Sequence, residues 1–303
     1  MLIIVSMSGR NFALIAGPSS INFARSMARQ MECEMVDVEF KEFPDGENYF
    51  RIVSDVRGKN VLIVQSLYPP VDHHLIQLLF LSKKVTELGG FVYAICPYLG
   101  YSRQHREYLS GEVVSLKVVG HLMASAGVRR LLTVDIHNVE GLGLFTFPAF
   151  SVSAIPVIAE YVQMNEDLSD AIIVSPDFGS STRVENFSKL VNRPYHVFEK
   201  ERDKVTGEVK VKSLQLDLEG KDAYIVDDMI SSGGTVVKAA RALKSFGVKR
   251  IVAVCVHPVL AAGAVEKMFE AGVNKIIASN TIENEYGIVD VSSVVVNYLR
   301  LLG

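Results

Sequence analysis

The sequence predicts two tandem α/β units, each a mainly parallel sheet flanked by helices and related to the other by duplication. Three observations predict this. Short β-branched runs alternate with longer helical patterns in both halves, and segments of the first half recur in the second. The 303 residues, 49% hydrophobic and 21% charged, are enough for two globular cores and exclude disorder and coiled coil.

In the first half, the strand-like run 60–64 is followed by helical spacing over 75–88, a strand over 91–95, a helix over 115–126 and a strand over 131–134. The second half repeats the pattern. It has strands over 171–174 and 223–226, a helix over 235–246, a strand over 251–254, a helix near 263–271 and a strand over 275–278. In detail, 12–18 aligns with 172–176 by matching Pro18 to Pro176, 58–66 aligns with 220–228, and 93–96 with 252–255. The units therefore fall at 1–150 and 151–289, and a closing helix over 290–303 is expected to pack back on the first. Aligned strand ends differ, Gln65-Ser66 against Asp227-Asp228 and Asp135-Ile136-His137 against Asn280-Thr281-Ile282. Ligands gather at those carboxyl ends, so the halves are expected to have diverged in function.

A net charge of -3 gives no global positive field, so neither nucleic acid nor an anionic membrane is an expected partner. Cys33, Cys96 and Cys255 form no CxxC pair, which argues against a zinc knuckle and a disulfide framework. The N-terminus lacks the basic flank and apolar run of a signal peptide. The apolar stretch 251–265 carries His257 and Pro258 and is shorter than the about 20 residues that span a bilayer. A cytoplasmic setting is expected.

The most informative segment is 224–235. A buried strand ends in Asp227 and Asp228, and Ser231, Ser232, Gly233 and Gly234 then feed a helix starting near Thr235. Glycines let backbone N–H groups crowd around a phosphate, hydroxyls add donors, and a helix N-terminus favours the anion. No Gly-Lys-Ser/Thr follows, so this is not a Walker A loop. Carboxylates beside a phosphate cup suit a sugar phosphate, accepting hydrogen bonds from vicinal hydroxyls.

Other segments have two readings when taken alone. Phe43-Pro44-Asp45-Gly46-Glu47 reads as a hairpin turn, or as an aromatic and two acids placed against a purine. Arg103, Gln104 and Arg106 lie in a loop beyond the 91–95 strand, either solvated or gripping a polyphosphate. Asp135 and His137, two apart at a strand end, would leave on one side and suit a divalent cation; the other reading is a hydrogen-bonded histidine and a helix-capping aspartate. The charged run 200–210 is a solvated surface or a mobile flap closing over a substrate.

Together, in this order, these segments resemble the ribose-phosphate pyrophosphokinases, also called phosphoribosyl-pyrophosphate synthetases, of the non-classical, archaeal-like kind. The motifs are Phe43–Glu47, Tyr101-Ser102-Arg103-Gln104-His105-Arg106, Asp135-Ile136-His137-Asn138, Ser175-Pro176-Asp177-Phe178-Gly179, Lys200-Glu201-Arg202 and the 227–235 cradle. The resemblance implies two phosphoribosyltransferase-like units and transfer of pyrophosphate from Mg-ATP to the C1 hydroxyl of ribose 5-phosphate, releasing AMP, for nucleotide biosynthesis. It further implies that Phe43, Asp45, Gly46, Glu47, Arg103 and Gln104 bind ATP, and that His137 and Asp177 hold Mg2+, with Asp135 a further candidate. Arg202, Asp227, Asp228, Ser231, Ser232, Gly233, Gly234 and Thr235 would bind ribose 5-phosphate, and Lys200 and Arg202 would act in catalysis. The family also implies a homo-oligomer whose adenine site is shared between subunits.

Three departures from the commonest family pattern stand out. Ser231 replaces an acid at the head of the cradle, Thr146 and Phe150 stand where two further acids are common, and the C-terminal tail is short and apolar. They predict no carboxylate-rich second cation site in the 135–150 loop, weakened allosteric control through the tail, and a dimer or tetramer in preference to a hexamer. The rival functions are a type I phosphoribosyltransferase, which shares the cradle, and a catalytically silent subunit of the synthetase.

Overall fold

The computed structural model describes residues 12–176, 181–198 and 218–301 in full, and 200–202 and 209–211 by backbone. In chain order, β1 (Phe12–Ala16), α1 (Ile21–Met31), β2 (Glu34–Met35), β3 (Val38–Glu42), β4 (Asn48–Ile52) and β5 (Asn60–Val64) come first. Then follow α2 (Val71–Glu87), β6 (Phe91–Cys96), α3 (Ser115–Ser125), β7 (Val128–Val134) and β8 (Ala149–Val152). The second stretch holds α4 (Ile155–Asn165), β9 (Ala171–Ser175), α5 (Ser181–Val191), β10 (Tyr195–Val197), β11 (Lys200–Arg202) and β12 (Val209–Val211). It continues with β13 (Asp222–Ile230), α6 (Gly234–Ser245), β14 (Arg250–Pro258), α7 (Ala264–Glu270), β15 (Lys275–Ala278) and α8 (Ser292–Leu301).

The chain divides into two compact units. The first takes the described residues up to Ser153, then Thr281–Glu283 and those from Asp290 onward; the second takes Ala154–Asn280 and Asn284–Val289. Among the described residues the first unit has a sheet in the order β2-β1-β5-β6-β7-β8 and the second in the order β10-β9-β13-β14-β15, all neighbours parallel. Both follow the doubly wound order 2-1-3-4-5, with β8 added at one edge of the first.

The strands are the β-branched runs because both faces of a helix-covered parallel sheet are buried. Val61, Leu62, Ile63 and Val64, like Ala223 to Val226, are at most 1% exposed. The helices bury one stripe: Leu78, Leu81 and Val85 on α2, and Val236, Ala239, Ala240 and Leu243 on α6. Each fully buried Leu or Val contributes about 1.5–3 kcal/mol of burial. In the first unit, α8 lies against α1, where Gln30 Nε2 donates to Ser292 Oγ at 2.7 Å and Arg300 donates to Gln30 O at 2.7 Å.

Duplication extends to loop hydrogen bonds. Gly58 N donates to Gly89 O at 2.9 Å and Gly220 N to Gly247 O at 3.0 Å. All four glycines have positive φ, from 70° to 83°, a conformation other L residues rarely adopt. The register corrects one alignment. Ala13 pairs with Val61 and Ile172 with Ala223, so with Val61 matched to Ala223 it is Gly17, not Pro18, that falls opposite Pro176. Both prolines lie beyond the strands, where no ladder holds the count.

The structure also lengthens or relocates some expected elements. β13 runs on to Ile230 instead of ending at Val226. Residues 38–52 form the antiparallel hairpin β3–β4. The 251–265 stretch begins within the buried strand β14, and among the described residues no helix is long and apolar enough to cross a membrane. The N-terminal residues 1–11 lie outside the described residues.

Candidate active site

In the second unit the strand order reverses between β9 and β13, and the crevice outside their carboxyl ends is where such sheets bind ligands. β13 pairs with β9 only as far as Ile225, while on its other side it stays paired with β14 to Ile230. Asp227 and Asp228 therefore sit within β13 but beyond the end of the β9 ladder. Neighbours on a strand leave on opposite faces. Asp228, 5% exposed, meets Arg183 of α5 at 3.9 Å. Asp227 is half-buried, and its Oδ1 accepts from Asp228 N at 2.9 Å. Burial first, then the Asp227 carboxylate, push the Cys255 thiol up, which keeps it an inert core group.

The turn after β13 is fixed by its backbone. Ser231 O accepts from Ala261 N at 3.0 Å, and Ile230 O from Leu260 N at 2.8 Å. Gly233 is the N-cap of α6 at φ 73°, where a Cβ would stand 3.2 Å from Met268 Cγ and 3.3 Å from Ala264 O. No side chain caps α6. The first amide N–H groups of a helix have no intrahelical acceptor, and the helix dipole adds partial positive charge there. This turn, exposed at Ser232 and Gly234, is built to receive an anion.

The corresponding crevice of the first unit, between β1 and β5, is filled by its own side chains. Gln65 and Ser66, the counterparts of Asp227 and Asp228, are fully buried. Gln65 Oε1 accepts from Ser19 N at 3.2 Å, and Nε2 donates to Gln77 Oε1 at 2.9 Å and His74 O at 3.2 Å. Ser66 N donates to Ser20 Oγ, and Ser66 Oγ to Thr281 O. Gly17 leaves the space Gln65 occupies, since a Cβ there would lie 2.0 Å from Gln65 Oε1. Among the described residues, the first unit's crevice is thus occupied by its own polar side chains.

The first unit's candidate residues lie on three loops instead. Phe43–Glu47 is the turn of β3–β4: Gly46 N donates to Phe43 O at 2.8 Å, Phe43 N to Glu47 O at 2.8 Å, and Gly46 has φ 89°. Asp45 Oδ1 accepts from Glu47 N at 3.2 Å. The Phe43 ring is 37% exposed, with Lys41 Nζ 4.7 Å from its centre. On the second loop Arg103 is exposed, and Gln104 Nε2 donates to Glu112 Oε2 at 3.4 Å. Hydrogen bonds to Glu112 from the Tyr108 and Leu109 amides hold its carboxyl below the usual range.

On the third loop the alternation argument for Asp135 and His137 does not hold. β7 ends at Val134, and Asp135 has φ 35°, so the chain turns before His137. Asp135 N donates to Val152 O at 2.8 Å, and Asp135 Oδ1 accepts from Ser153 Oγ at 3.0 Å. Nor is Asp135 the cap: the 3-10 turn Val139–Leu144 is capped by Asn138, whose Oδ1 accepts from Glu140 N at 2.9 Å. His137 is exposed. Phe150 packs against Tyr298 with ring centres 5.5 Å apart.

β11 and β12 pair antiparallel, Lys200 with Val211 and Arg202 with Val209, while 203–208 lie outside the described residues. So does Asp177. Among the described residues no three His, Cys, Asp or Glu side chains converge as a metal cage. Magnesium often takes only one or two protein carboxylates, the rest being water and substrate phosphate oxygens, so the Asp135 carboxylate, two residues from the exposed His137, is the described donor that suits it. Arg183 and His105 are residues that sequence reasoning did not single out; Arg183 is signalled only by its place six residues after Asp177.

Two sheets of one doubly wound order, one with acids and an uncapped glycine turn at its switch point, define a phosphoribosyltransferase-like α/β protein. Residues 12–127 match the N-terminal domain of ribose phosphate pyrophosphokinase, and residues 154–294 the phosphoribosyl transferase domain. The ribose-phosphate pyrophosphokinase of Saccharolobus solfataricus is 39% identical over 89% of this chain and 92% of its own. That of Methanothermobacter thermautotrophicus is 37% identical over 95% and 99%. The crystal structure of phosphoribosylpyrophosphate synthetase from Mycobacterium smegmatis matches with a TM-score of 0.85 at 25% identity, covering 97% of this chain and 99% of that one. The chain belongs to the ribose-phosphate pyrophosphokinase family, as one of its enzymes.

Proposed function

We propose that the protein transfers pyrophosphate from Mg-ATP to the C1 hydroxyl of ribose 5-phosphate, giving 5-phosphoribosyl 1-pyrophosphate and AMP. The observation that carries this reading is the α6 turn beside Asp227 and Asp228 at the second unit's switch point, set against the filled crevice of the first. The 5-phosphate takes the amides and hydroxyls of Ser231, Ser232, Gly233, Gly234 and Thr235, and Arg202 adds charge. Asp227 and Asp228 accept from sugar hydroxyls, and the Arg183 guanidinium, 3.9 Å from Asp228, places a positive charge beside that buried carboxylate.

ATP takes Phe43 against the adenine, Asp45, Gly46 and Glu47 around it, and Arg103 and Gln104 along the triphosphate. His137 and Asp177, with Asp135, would hold Mg2+, which when bound neutralises polyphosphate charge. The C1 oxygen forms its bond to the β-phosphorus as the bond from that phosphorus to the α–β bridging oxygen breaks, leaving AMP. Asp227, the more exposed acid, takes the hydroxyl proton. Lys200 and Arg202 meet the charge that spreads over the transferred group. The exposed Phe43 loop suits an adenine site shared between subunits of a homo-oligomer in the cytoplasm.

Phosphorus NMR of the protein with ribose 5-phosphate and Mg-ATP tests the reaction: AMP and phosphoribosyl pyrophosphate are expected in equal amounts. No AMP across a range of divalent metals sinks the assignment. A second test addresses the turn. Gly233→Ala puts a Cβ at φ 73° against Met268 and should destabilise the protein by about 1–2 kcal/mol and raise KM for ribose 5-phosphate more than KM for ATP. Thermal melts and steady-state kinetics read the two effects.

A further inference from the structure

His105 lies between the Arg103-Gln104 pair and Arg106, yet its ring turns away from solvent: the residue is 8% exposed. Asn138 stands 3.0 Å away, its Nδ2 facing His105 Nε2. The direction of this bond follows from the other end of the amide. Asn138 Oδ1 accepts the Glu140 N–H that starts the 3-10 turn, so Nδ2 is the group left to face the ring, and it can only donate. Nε2 must then accept, which puts the ring proton on Nδ1. Among the described residues His105 Nδ1 has no hydrogen-bond partner.

The packing around this pair is close. Gly141, in the same 3-10 turn, has no Cβ where one would lie 3.4 Å from His105 Cβ and 2.8 Å from Leu116 Cδ2. The backbone beside His105 is tied down as well, with Leu116 N donating to Gln104 O at 3.2 Å and Gln104 N to Tyr101 O at 3.0 Å. Asn138 is the chain neighbour of His137. One part-buried bond thus joins the loop that carries Arg103 and Gln104 to the loop that carries His137. A histidine kept for stability alone would not leave a buried N–H without an acceptor, because that costs free energy an apolar side chain would not.

We propose that His105 is a positioning residue: by accepting from Asn138 Nδ2 it fixes the spacing between Arg103-Gln104 and His137, so that both loops meet one nucleotide triphosphate and its cation. The proposal rests on the ATP reading of those loops. Groups that orient ligand-bearing residues without touching the ligand typically change affinity or activity 10–100-fold when lost.

The test compares four single variants and one double variant with wild type. His105→Leu should raise KM for Mg-ATP about tenfold and leave KM for ribose 5-phosphate and the melting temperature near wild type. His105→Gln places an acceptor where Nε2 stood and should restore KM, whereas His105→Asn reaches only the Nδ1 position and should not. Asn138→Ser keeps a cap for Glu140 but replaces the Nδ2 donor with a hydroxyl one bond shorter, which does not reach the ring, and should reproduce the His105→Leu defect. Combining it with His105→Leu should do no further harm. Wild-type KM for ATP in His105→Leu, equal behaviour of the Gln and Asn variants, or an additive double variant overturns the proposal. Nitrogen-15 NMR of the imidazole is independent of turnover. A proton on Nδ1 supports the bond, and one on Nε2 overturns it even if the wild type forms no AMP and the proposed reaction itself falls.

Discussion

Lys200→Ala is expected to lower kcat at least ~100-fold, a loss of about 2.7 kcal/mol of transition-state stabilisation, with KM for ribose 5-phosphate nearly unchanged. The expectation follows from where charge appears. As the β-phosphoryl group moves between two oxygens, negative charge spreads over its remaining oxygens, and a cation placed there binds the transition state better than either substrate. Lys200 and Arg202 hold alternate positions of β11, cross-strand from Val211 and Val209, on a two-stranded ribbon separate from the second unit's main sheet. Their removal should leave the buried core of that unit, and hence the melting temperature, unaffected. Steady-state kinetics with each substrate varied, together with a thermal melt, distinguish loss of transition-state contact from loss of fold. Unchanged turnover would take Lys200 out of the mechanism. A fall in ribose 5-phosphate affinity without a fall in kcat would make it a binding residue only.

What could be read in the chain beforehand divides along physical lines. The parallel strands were legible because burial on both faces selects continuous β-branched runs, and 60–64 and 275–278 are strands to the residue. The hairpin β3–β4 was not, since most of its residues are exposed on both faces and no apolar run announces it; only its Pro-Asp-Gly turn did. The run 227–235 was legible as a strand end and glycine turn feeding a helix, and α6 does begin there, at Gly234. The length of β13 was not, because pairing with β14 past Val226 is a property of the neighbour strand.

Asp135 shows the limit most sharply. A period-two argument needs an extended backbone, and nothing local reports that Asp135 sits at φ 35° under a hydrogen bond to Val152. The filling of the first crevice was half legible. The change from Asp227-Asp228 to Gln65-Ser66 marked it as different, but that Gln65 is consumed by Ser19, His74 and Gln77 depends on residues brought together only by folding. Substituting amides and hydroxyls for acids let that crevice close, because neutral groups can be hydrogen-bonded inside where paired carboxylates would have to stay hydrated.

Stability, by contrast, should depend most on a carboxylate at the far end of the second sheet. Glu166, just after α4, has a side chain 3% exposed. It accepts from Arg250 Nη2 at 2.7 Å, from Lys275 Nζ at 2.6 Å and from the Tyr224 hydroxyl at 3.3 Å. Arg250 and Lys275 are the first residues of β14 and β15, so this one acid ties together the starts of neighbouring strands, opposite the carboxyl ends that bear the site. Burial and then the Glu166 charge push the Tyr224 hydroxyl up to about 12, which keeps it a donor. Burial pulls Glu166 towards its neutral form, but the hydrogen bonds from Lys275 and Arg250 outweigh that and hold its carboxyl below the ordinary 4.5. Removing one partner of a buried pair typically costs about 3–5 kcal/mol. Because Arg250 and Lys275 are 30% and 39% exposed, solvent softens the loss, and Glu166→Ala should cost about 2–3 kcal/mol with kcat unchanged below the melting transition. A depressed folded pKa means the ionised acid's stabilisation is fully present above its unfolded value and is lost as pH falls through the folded one. The melting-temperature gap between wild type and Glu166→Gln should therefore be largest near neutrality and narrow below pH 4.5. A gap that is constant with pH would assign the role of Glu166 to packing and leave its charge without effect.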